Sequence, residues 1–375
     1  MKIFRSAQQK PMAHAERKFL SVVGARPNFV KLFPIHRALA KQPIDHIVVH
    51  TGQHYDYEMS KVFFENLQLP EPHYNLNVGS GSPCYQLGEM IARLEGVLLK
   101  ENPKAVLVYG DTNSTLAGAL AAAKLNFPVA HIEAGLRSFD RRMPEEVNRV
   151  LTDHVSNNLF CPTKNALRNL RKEHVWGKAF LTGDVMVETL NEYVTLAEKK
   201  STILDRLNVE PKKYILVTIH RAENTENQFR LSKIVEALTK IKKRIVFPIH
   251  PRTVKALKEY LLIQKLASNS NIILTEPLSY LDFIHLERQA EKIITDSGGV
   301  QKEAYLLGVP CITIRENTEW IETIETGWNT LVGTDLEKIC EAVENFEPAS
   351  TRKPIFGKGN ASIKIANILF DIYLS

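Results

Sequence analysis

Cysteine is scarce in this sequence, with four residues among 375. The four lie far apart, so no pair has the spacing of a metal-binding motif, and such scarcity suits a reducing compartment. No apolar run reaches the length that a membrane span needs. The first residues also lack the apolar segment of a signal peptide. These absences predict a cytoplasmic protein without a membrane partner and with a loose leader over residues 1–17.

An excess of one charge is also missing. The sequence has 48 Lys and Arg against 42 Asp and Glu, a net charge of +6 that is small for this length. Basic residues are scattered and do not alternate with aromatic side chains, as they do in proteins that bind single strands. We therefore expect no nucleic-acid partner. The pI of 8.9 keeps that class only as a remote alternative, whereas the small positive charge is compatible with an anionic substrate.

The length and the pattern of apolar segments predict two α/β domains. A chain of 375 residues favours two domains over one. Apolar strands alternate with amphipathic helices in both halves, which is typical of doubly wound α/β folds. We predict two Rossmann-like domains that face a shared cleft, over residues 18–185 and 186–360. A last helix, over residues 361–375, is expected to pack back on the first domain.

The first strand and turn open this pattern without a dinucleotide fingerprint. Phe19–Val23 is a predicted strand, and the glycine turn after it leads into a helix. The turn is not GxGxxG, so it gives no support for a nicotinamide cofactor. Arg26 and Lys31 flank the start of the helix, where they could meet a phosphate. Taken alone, both are better explained as surface charges.

Histidine spacing gives a weak signal for a metal. His46, His50 and His54 recur at intervals of four, which on a helix would suggest a metal site. Here β-branched neighbours place the first two in a strand. We therefore predict no metal site.

Three acidic residues stand at the ends of predicted elements in the first half. Asp111 and Glu133 each follow an apolar strand, and Glu145 stands at a predicted helix start. Because ligands bind beyond the carboxyl ends of parallel strands, Asp111 and Glu133 should point toward one crevice. Asp111 could instead cap the helix that follows it. Glu133, between an apolar strand and a glycine, is harder to explain structurally.

The stretch Thr295–Ala304 predicts an anion site in the second half. A strand leads into Asp296-Ser297-Gly298-Gly299, and a helix follows. Backbone N–H groups are unpaired at a helix N-terminus, and the helix dipole is positive there. The glycines would let a ligand approach the backbone, and Ser297 can cap the helix or donate to a phosphate. A plain turn without a ligand explains this stretch equally well.

Nine segments from Gly24 to Trp320 form an ordered set: GARPNFVK, TGQHYD, VYGDTNST, HIEAGLRSFDRRMPEEVNR, GDVMVE, TIHRAENT, PIHPRT, TDSGGVQKEA and NTEW. Together they resemble the non-hydrolysing UDP-N-acetylglucosamine 2-epimerases. The resemblance implies the two-Rossmann arrangement of the GT-B glycosyltransferases and chemistry without a metal or a nicotinamide cofactor. We therefore expect a UDP-sugar substrate, no cofactor and a homodimer.

The resemblance also implies roles for individual residues. The family's catalytic acidic residues fall on Asp111, Glu133 and Glu145, and its catalytic histidine falls on His220. Its substrate contacts fall on Arg26, Ser297, Gly298 and Gly299 for the diphosphate, on Glu303 for the ribose, and on Lys31.

The implied reaction converts UDP-N-acetylglucosamine to UDP-N-acetylmannosamine. Because the C2 proton is not acidic, the family removes it as UDP leaves C1, and a 2-acetamidoglucal intermediate forms. Reprotonation from the other face and return of UDP complete the epimerisation. This needs an acid or base on each face of the sugar. The reaction needs two such groups and the sequence offers three carboxylates. Which of them acts as the base stays open.

Two substitutions leave the sugar open. Trp320 and Leu278 stand where better-known bacterial members have Arg and Gln. The NTEW branch also includes enzymes that resemble UDP-2,3-diacetamido-2,3-dideoxyglucuronate 2-epimerases, so that activity is the alternative. In that case we expect Arg141 or Arg142 to contact the C6 carboxylate. More distant alternatives are a GT-B glycosyltransferase, which the three carboxylates disfavour, and a UDP-sugar-binding regulatory protein.

Overall fold

The computed structural model describes residues 17–53, 69, 71–348 and 350–375, without the side chain of Arg26. The chain divides into two compact units. Unit 1 contains the residues up to Thr189 and again Phe356–Ser375, and unit 2 contains Leu190–Ile355. One helix, Met186–Lys200, carries the chain from the first unit into the second.

Unit 1 contains a parallel sheet of seven strands within its described residues. The sheet order is β3-β2-β1-β4-β5-β6-β7, and it reverses between β1 and β4, as in a doubly wound fold. Its core includes Leu20, Val106 and Val108, all fully buried. The strands are Lys18–Val23 (β1), Asp45–His50 (β2), Tyr74–Asn75 (β3), Ala105–Tyr109 (β4), Val129–Ile132 (β5), Asn158–Cys161 (β6) and Lys178–Leu181 (β7).

The helices of unit 1 flank this sheet. The first begins at Arg26, so part of the predicted glycine turn is helical. Pro27 suits this position, because the first turn of a helix does not need its N–H group. The described helices are Arg26–Leu39 (α1), Pro83–Glu101 (α2), Asn113–Lys124 (α3), Pro144–Val155 (α4), Lys164–Lys172 (α5) and the connecting Met186–Lys200 (α6).

Unit 2 repeats the doubly wound plan with six parallel strands. The sheet order is β10-β9-β8-β11-β12-β13, with the reversal between β8 and β11. Alternate residues of β8 point into opposite cores, Ile215 into one and Leu216 into the other. The strands are Tyr214–Thr218 (β8), Arg244–Pro248 (β9), Ile272–Thr275 (β10), Lys292–Thr295 (β11), Cys311–Thr313 (β12) and Asn329–Leu331 (β13).

The helices of unit 2 connect these strands. The sequence pattern predicted no element between residues 321 and 360, where the structure has two helices and a strand. The helices are Ile203–Leu207 (α7), Ala222–Thr225 (α8), Gln228–Lys240 (α9), Pro251–Glu259 (α10), Ile263–Ala267 (α11), Tyr280–Gln289 (α12), Gly298–Leu307 (α13), Ile321–Glu325 (α14) and Leu336–Asn345 (α15).

The last helix, Ala361–Tyr373 (α16), belongs to unit 1. It packs against α1, and the ring of Tyr373 meets that of Phe19 edge-on at 6.3 Å. The backbone N–H of Ser362 donates to Glu188 at 2.9 Å. Residues from both ends of the chain therefore build one core.

Two parallel sheets flanked by helices confirm the predicted α/β class of doubly wound units. Among the helices that the structure describes, none combines the length and the apolar character needed to cross a membrane.

Candidate active site

Two of the predicted site residues form a buried ion pair in unit 1. Glu133 directly follows β5, and Lys31 projects from α1. The amine Nζ of Lys31 lies 2.7 Å from Oε1 of Glu133, and the two side chains are only 8% and 7% exposed. Close pairing offsets part of the cost of burying two charges, and either charge alone would be strongly destabilising there. The interpretation of Lys31 as an ordinary surface charge is therefore wrong.

The backbone beneath this pair is in the left-handed region. Gly110, at the end of β4, has a φ of +66°, and Glu133 has a φ of +72°. A Cβ atom on Gly110 would lie 2.7 Å from Nζ of Lys31 and 3.2 Å from Oε1 of Glu133. A side chain at this position would have to displace the amine of Lys31, and the left-handed backbone favours glycine. A positive φ is uncommon for a residue other than glycine, asparagine or aspartate.

Asp111 lies at the neighbouring strand end and pairs with Arg149 of α4. The amide of Asn148 donates to the carbonyl of Asp111 at 3.0 Å. Thr112 fills the cap position of α3, where its hydroxyl accepts from the backbone of Thr115. Asp111 is thus not needed as a helix cap, and its carboxylate faces an arginine.

Glu145 lies half-buried in the first turn of α4, at the predicted helix start. Its neighbour Glu146 is buried and accepts from Ser138 and Phe139, and Nη1 of Arg149 lies 3.1 Å from its carboxylate. Arg149 therefore bridges Asp111 and Glu146. Glu146 and Arg149 were not among the residues that the sequence predicted for this site. Their i,i+3 spacing on one helix was the available signal.

A second buried network supports these strand ends. The ring of His131 lies 2.7 Å from Asp153 through Nδ1 and 2.8 Å from the carbonyl of Gly110 through Nε2. Arg137 donates to Asp153 at 2.7 Å. Burial opposes ionisation of Asp153, but the hydrogen bonds and charges of His131 and Arg137 outweigh it and lower the pKa of that carboxyl. This network fixes the carbonyl of Gly110.

The predicted anion turn of unit 2 connects β11 to α13. Ser297 caps the helix, since its hydroxyl accepts from the backbone N–H of Val300 at 3.5 Å. Gly298 and Gly299 form the first turn of the helix. Glu303 lies further along α13 and accepts from the hydroxyl of Tyr280 at 2.6 Å. The structure thus places Gly298, Gly299 and Glu303 on one helix, with Ser297 as its cap.

His220 follows β8, which pairs with β11, so its loop runs beside the anion turn. Its ring lies 5.6 Å from that of His250. Burial lowers the pKa of His250, and the nearby His220 lowers it further. Arg26 opens α1, but its side chain is outside the described residues. Among those residues, no group of three or more His, Cys, Asp or Glu is arranged to hold a metal.

Comparison with known families identifies the relationship. The family model described as UDP-N-acetylglucosamine 2-epimerase matches residues 37–370. The chain belongs to the UDP-N-acetylglucosamine 2-epimerase family. This confirms the family that the motifs predicted and the enzyme class, an isomerase.

Relatives of this epimerase family match both units. A UDP-N-acetylglucosamine 2-epimerase homolog from Methanococcus maripaludis is 54% identical, over 95% of this chain and 100% of the relative. The UDP-GlcNAc 2-epimerase of Methanocaldococcus jannaschii, in complex with UDP-GlcNAc and UDP, has a TM-score of 0.88 at 50% identity. It covers 94% of this chain and 99% of that one. This similarity confirms the predicted GT-B-like fold class.

Another relative has the name of the alternative activity that was considered because of Trp320 and Leu278. A UDP-2,3-diacetamido-2,3-dideoxy-D-glucuronate 2-epimerase from Pseudomonas aeruginosa is 44% identical, over 94% of this chain and 99% of the relative. In the present chain Trp320 is buried, and Nζ of Lys302 lies 4.6 Å from its ring. Leu278 packs against a core cluster. Arg141 and Arg142 are exposed, and Arg142 pairs with Asp140 at 2.7 Å.

The loop that carries Trp320 also lies against the anion turn. A Cβ atom on Gly298 would be 1.9 Å from Oε1 of Glu319. Arg315 holds the same carboxylate at 2.9 Å. Gly298 is therefore required by this close approach within unit 2, apart from any ligand.

Proposed function

We propose that the protein converts UDP-N-acetylglucosamine to UDP-N-acetylmannosamine by epimerising C2. The observation that carries this proposal is the paired arrangement of Glu133 with Lys31 and of Asp111 with Arg149 at adjacent strand ends. The complex of the Methanocaldococcus jannaschii relative with UDP-GlcNAc and UDP supports the choice of substrate.

The reaction proceeds by elimination and re-addition. A carboxylate removes the C2 proton as the bond from C1 to the diphosphate oxygen breaks, which gives 2-acetamidoglucal and UDP. Reprotonation of C2 from the opposite face and return of UDP to C1 complete the epimerisation. Asp111, Glu133 and Glu145 are the candidate acids and bases. Their cations, Lys31 and Arg149, keep two of the carboxylates in fixed positions.

The nucleotide binds at the anion turn in this proposal. Ser297 and the first backbone N–H groups of α13 receive the diphosphate, because a helix N-terminus favours negative charge. His220 stabilises the charge that develops on the leaving diphosphate. Arg26 adds a positive charge, and Glu303 binds the ribose. The homodimer and the cytoplasmic location stay predictions of the sequence.

Solvent exchange tests the reaction. When UDP-GlcNAc is incubated with the protein in deuterated water, deuterium should appear at C2 of both UDP-GlcNAc and its C2 epimer. Proton NMR would detect this as loss of the C2 proton signal. Asp111→Asn should abolish the exchange. Asp45→Asn is the matched control, since Asp45 is exposed at the amino end of β2 in the same unit. Epimerisation with the original hydrogen retained would overturn the proposal.

The 44% identity to the Pseudomonas aeruginosa enzyme supports one second candidate, epimerisation of UDP-2,3-diacetamido-2,3-dideoxyglucuronate. Both substrates should be assayed side by side. Turnover of the diacetamido sugar alone, with a selective loss in Arg141→Ala, would favour the second candidate. A site matched to a C6 carboxylate rejects a hydroxymethyl group, because its own charged group is then left unpaired.

A further inference from the structure

The carboxylate of Asp296 is fully buried and forms hydrogen bonds with the loop that carries His220. It accepts hydrogen bonds from the backbone N–H groups of His220 and Arg221, at 3.0 Å each. The side-chain amide of Asn224 also donates to it at 3.0 Å. One carboxylate thus fixes the position of a whole loop.

This arrangement follows from the sheet. Strands β8 and β11 are neighbours, and their pairing continues beyond β11, where the N–H of Asp296 donates to the carbonyl of Thr218 at 3.3 Å. The hydroxyls of Thr218 and Thr295 lie 2.6 Å apart. Asp296 is also the residue before Ser297, so the same short segment carries the anion turn and the anchor of the His220 loop.

The imidazole of His220 lies near the same carboxylate. Nδ1 of His220 lies 3.7 Å from Oδ1 of Asp296, which is ion-pair distance. Charged or titratable groups beside His220 include its chain neighbour Arg221, His250, and Arg252, whose guanidinium donates to the carbonyl of His220 at 3.2 Å. This separation is longer than a hydrogen bond, so the carboxylate acts on the ring through its charge, which favours a proton on Nδ1, the nitrogen that faces it.

We propose that Asp296 is a positioning residue for His220. It keeps the proton of the neutral ring on Nδ1 and leaves Nε2 as the atom that serves the leaving diphosphate. This inference rests on the proposed function, because the diphosphate is the group on which His220 would act. If Asp296 were merely a structural anchor, its loss would destabilise unit 2 without changing the chemistry of His220.

Imidazole NMR on the whole protein tests the proposal without a substrate. In the wild type, neutral His220 should show the Nδ1–H tautomer, its signal being assigned by comparison with His220→Gln. In Asp296→Asn, the titration midpoint of His220 should fall by about one pH unit, since the facing negative charge is gone. Glu287→Gln is the control, because Glu287 is equally buried in unit 2. The charge of Glu287 is felt by Tyr214 and Cys311. The control variant should leave the His220 signal unchanged.

A kinetic cycle supplies the second measurement. Asp296→Asn should lower kcat roughly tenfold to a hundredfold. In a His220→Gln background, the same change should lower kcat less than threefold, because the two residues act as one unit. Multiplicative effects, or a wild-type His220 with its proton on Nε2, would overturn the inference. Failure to epimerise UDP-GlcNAc, with the NMR result intact, would reject only the proposed function. The wild-type tautomer decides the matter even if Asp296→Asn does not fold.

Discussion

Replacing Gly110 by alanine tests the geometry of the strand ends in unit 1. The left-handed backbone at Gly110 should cost an alanine about 1–2 kcal/mol. The new methyl group would also lie 2.7 Å from Nζ of Lys31, so that amine must move. A complete break of a buried ion pair costs about 3–5 kcal/mol, and a stretched pair costs part of it. We therefore expect a total of about 2–4 kcal/mol.

Urea unfolding, monitored through the hydrogen exchange of peptides from unit 1, would measure this loss of unfolding free energy. C2 exchange should fall in the same variant, because Lys31 and Glu133 no longer hold their positions. Gly96→Ala is the control: Gly96 lies inside α2 with open space around its Cβ position, so alanine should stabilise unit 1 by about 0.5–1 kcal/mol. Wild-type stability and exchange in Gly110→Ala would refute the reasoning.

Three further predictions concern unit 1. Lys31→Met should destabilise unit 1 by about 3–5 kcal/mol, because Glu133 then stays buried without a cation beside it. A urea unfolding curve unchanged from the wild type would contradict this prediction. Burial and nearby His36 lower the pKa of His46 to about 3, so between pH 6.5 and 3 the unfolded chain binds a proton that the native state does not. The free energy of unfolding should therefore fall by about 1.4 kcal/mol per pH unit as the pH falls, and His46→Gln should flatten this slope in urea titrations. In Gly135→Ala, the new Cβ would lie 2.4 Å from the carbonyl oxygen of Ala166, so the melting temperature should drop by several degrees; an unchanged melting curve would count against the left-handed turn.

Much of the fold followed from local sequence patterns. Continuous apolar runs predicted the central strands, because strands of a parallel sheet are buried on both faces. The same logic placed Asp111 and Glu133 at strand ends, since side chains that follow parallel strands gather at one edge of a sheet. The anion turn was also predictable, from a cap residue and two glycines before a helical pattern.

Other features depended on tertiary contacts that no local pattern reveals. The pairing of Arg149 with Asp111 joins residues 38 positions apart. The role of Asp296 depends on which strands are neighbours, and sequence spacing does not give that order. By contrast, α15 had a readable signal, because Asp335 caps it and accepts from the backbone of Lys338 at 3.0 Å.

The return of α16 to unit 1 has a consequence for synthesis of the chain. Unit 2 is complete once Ile355 has been made, whereas unit 1 still lacks its final 20 residues, Phe356–Ser375. We therefore expect unit 1, whose synthesis begins first, to finish folding last. Until α16 has been made, we expect the surface of α1 and Phe19 that it covers to be exposed. A premature stop near residue 356 would therefore damage the unit that begins the chain and spare the unit that precedes the stop.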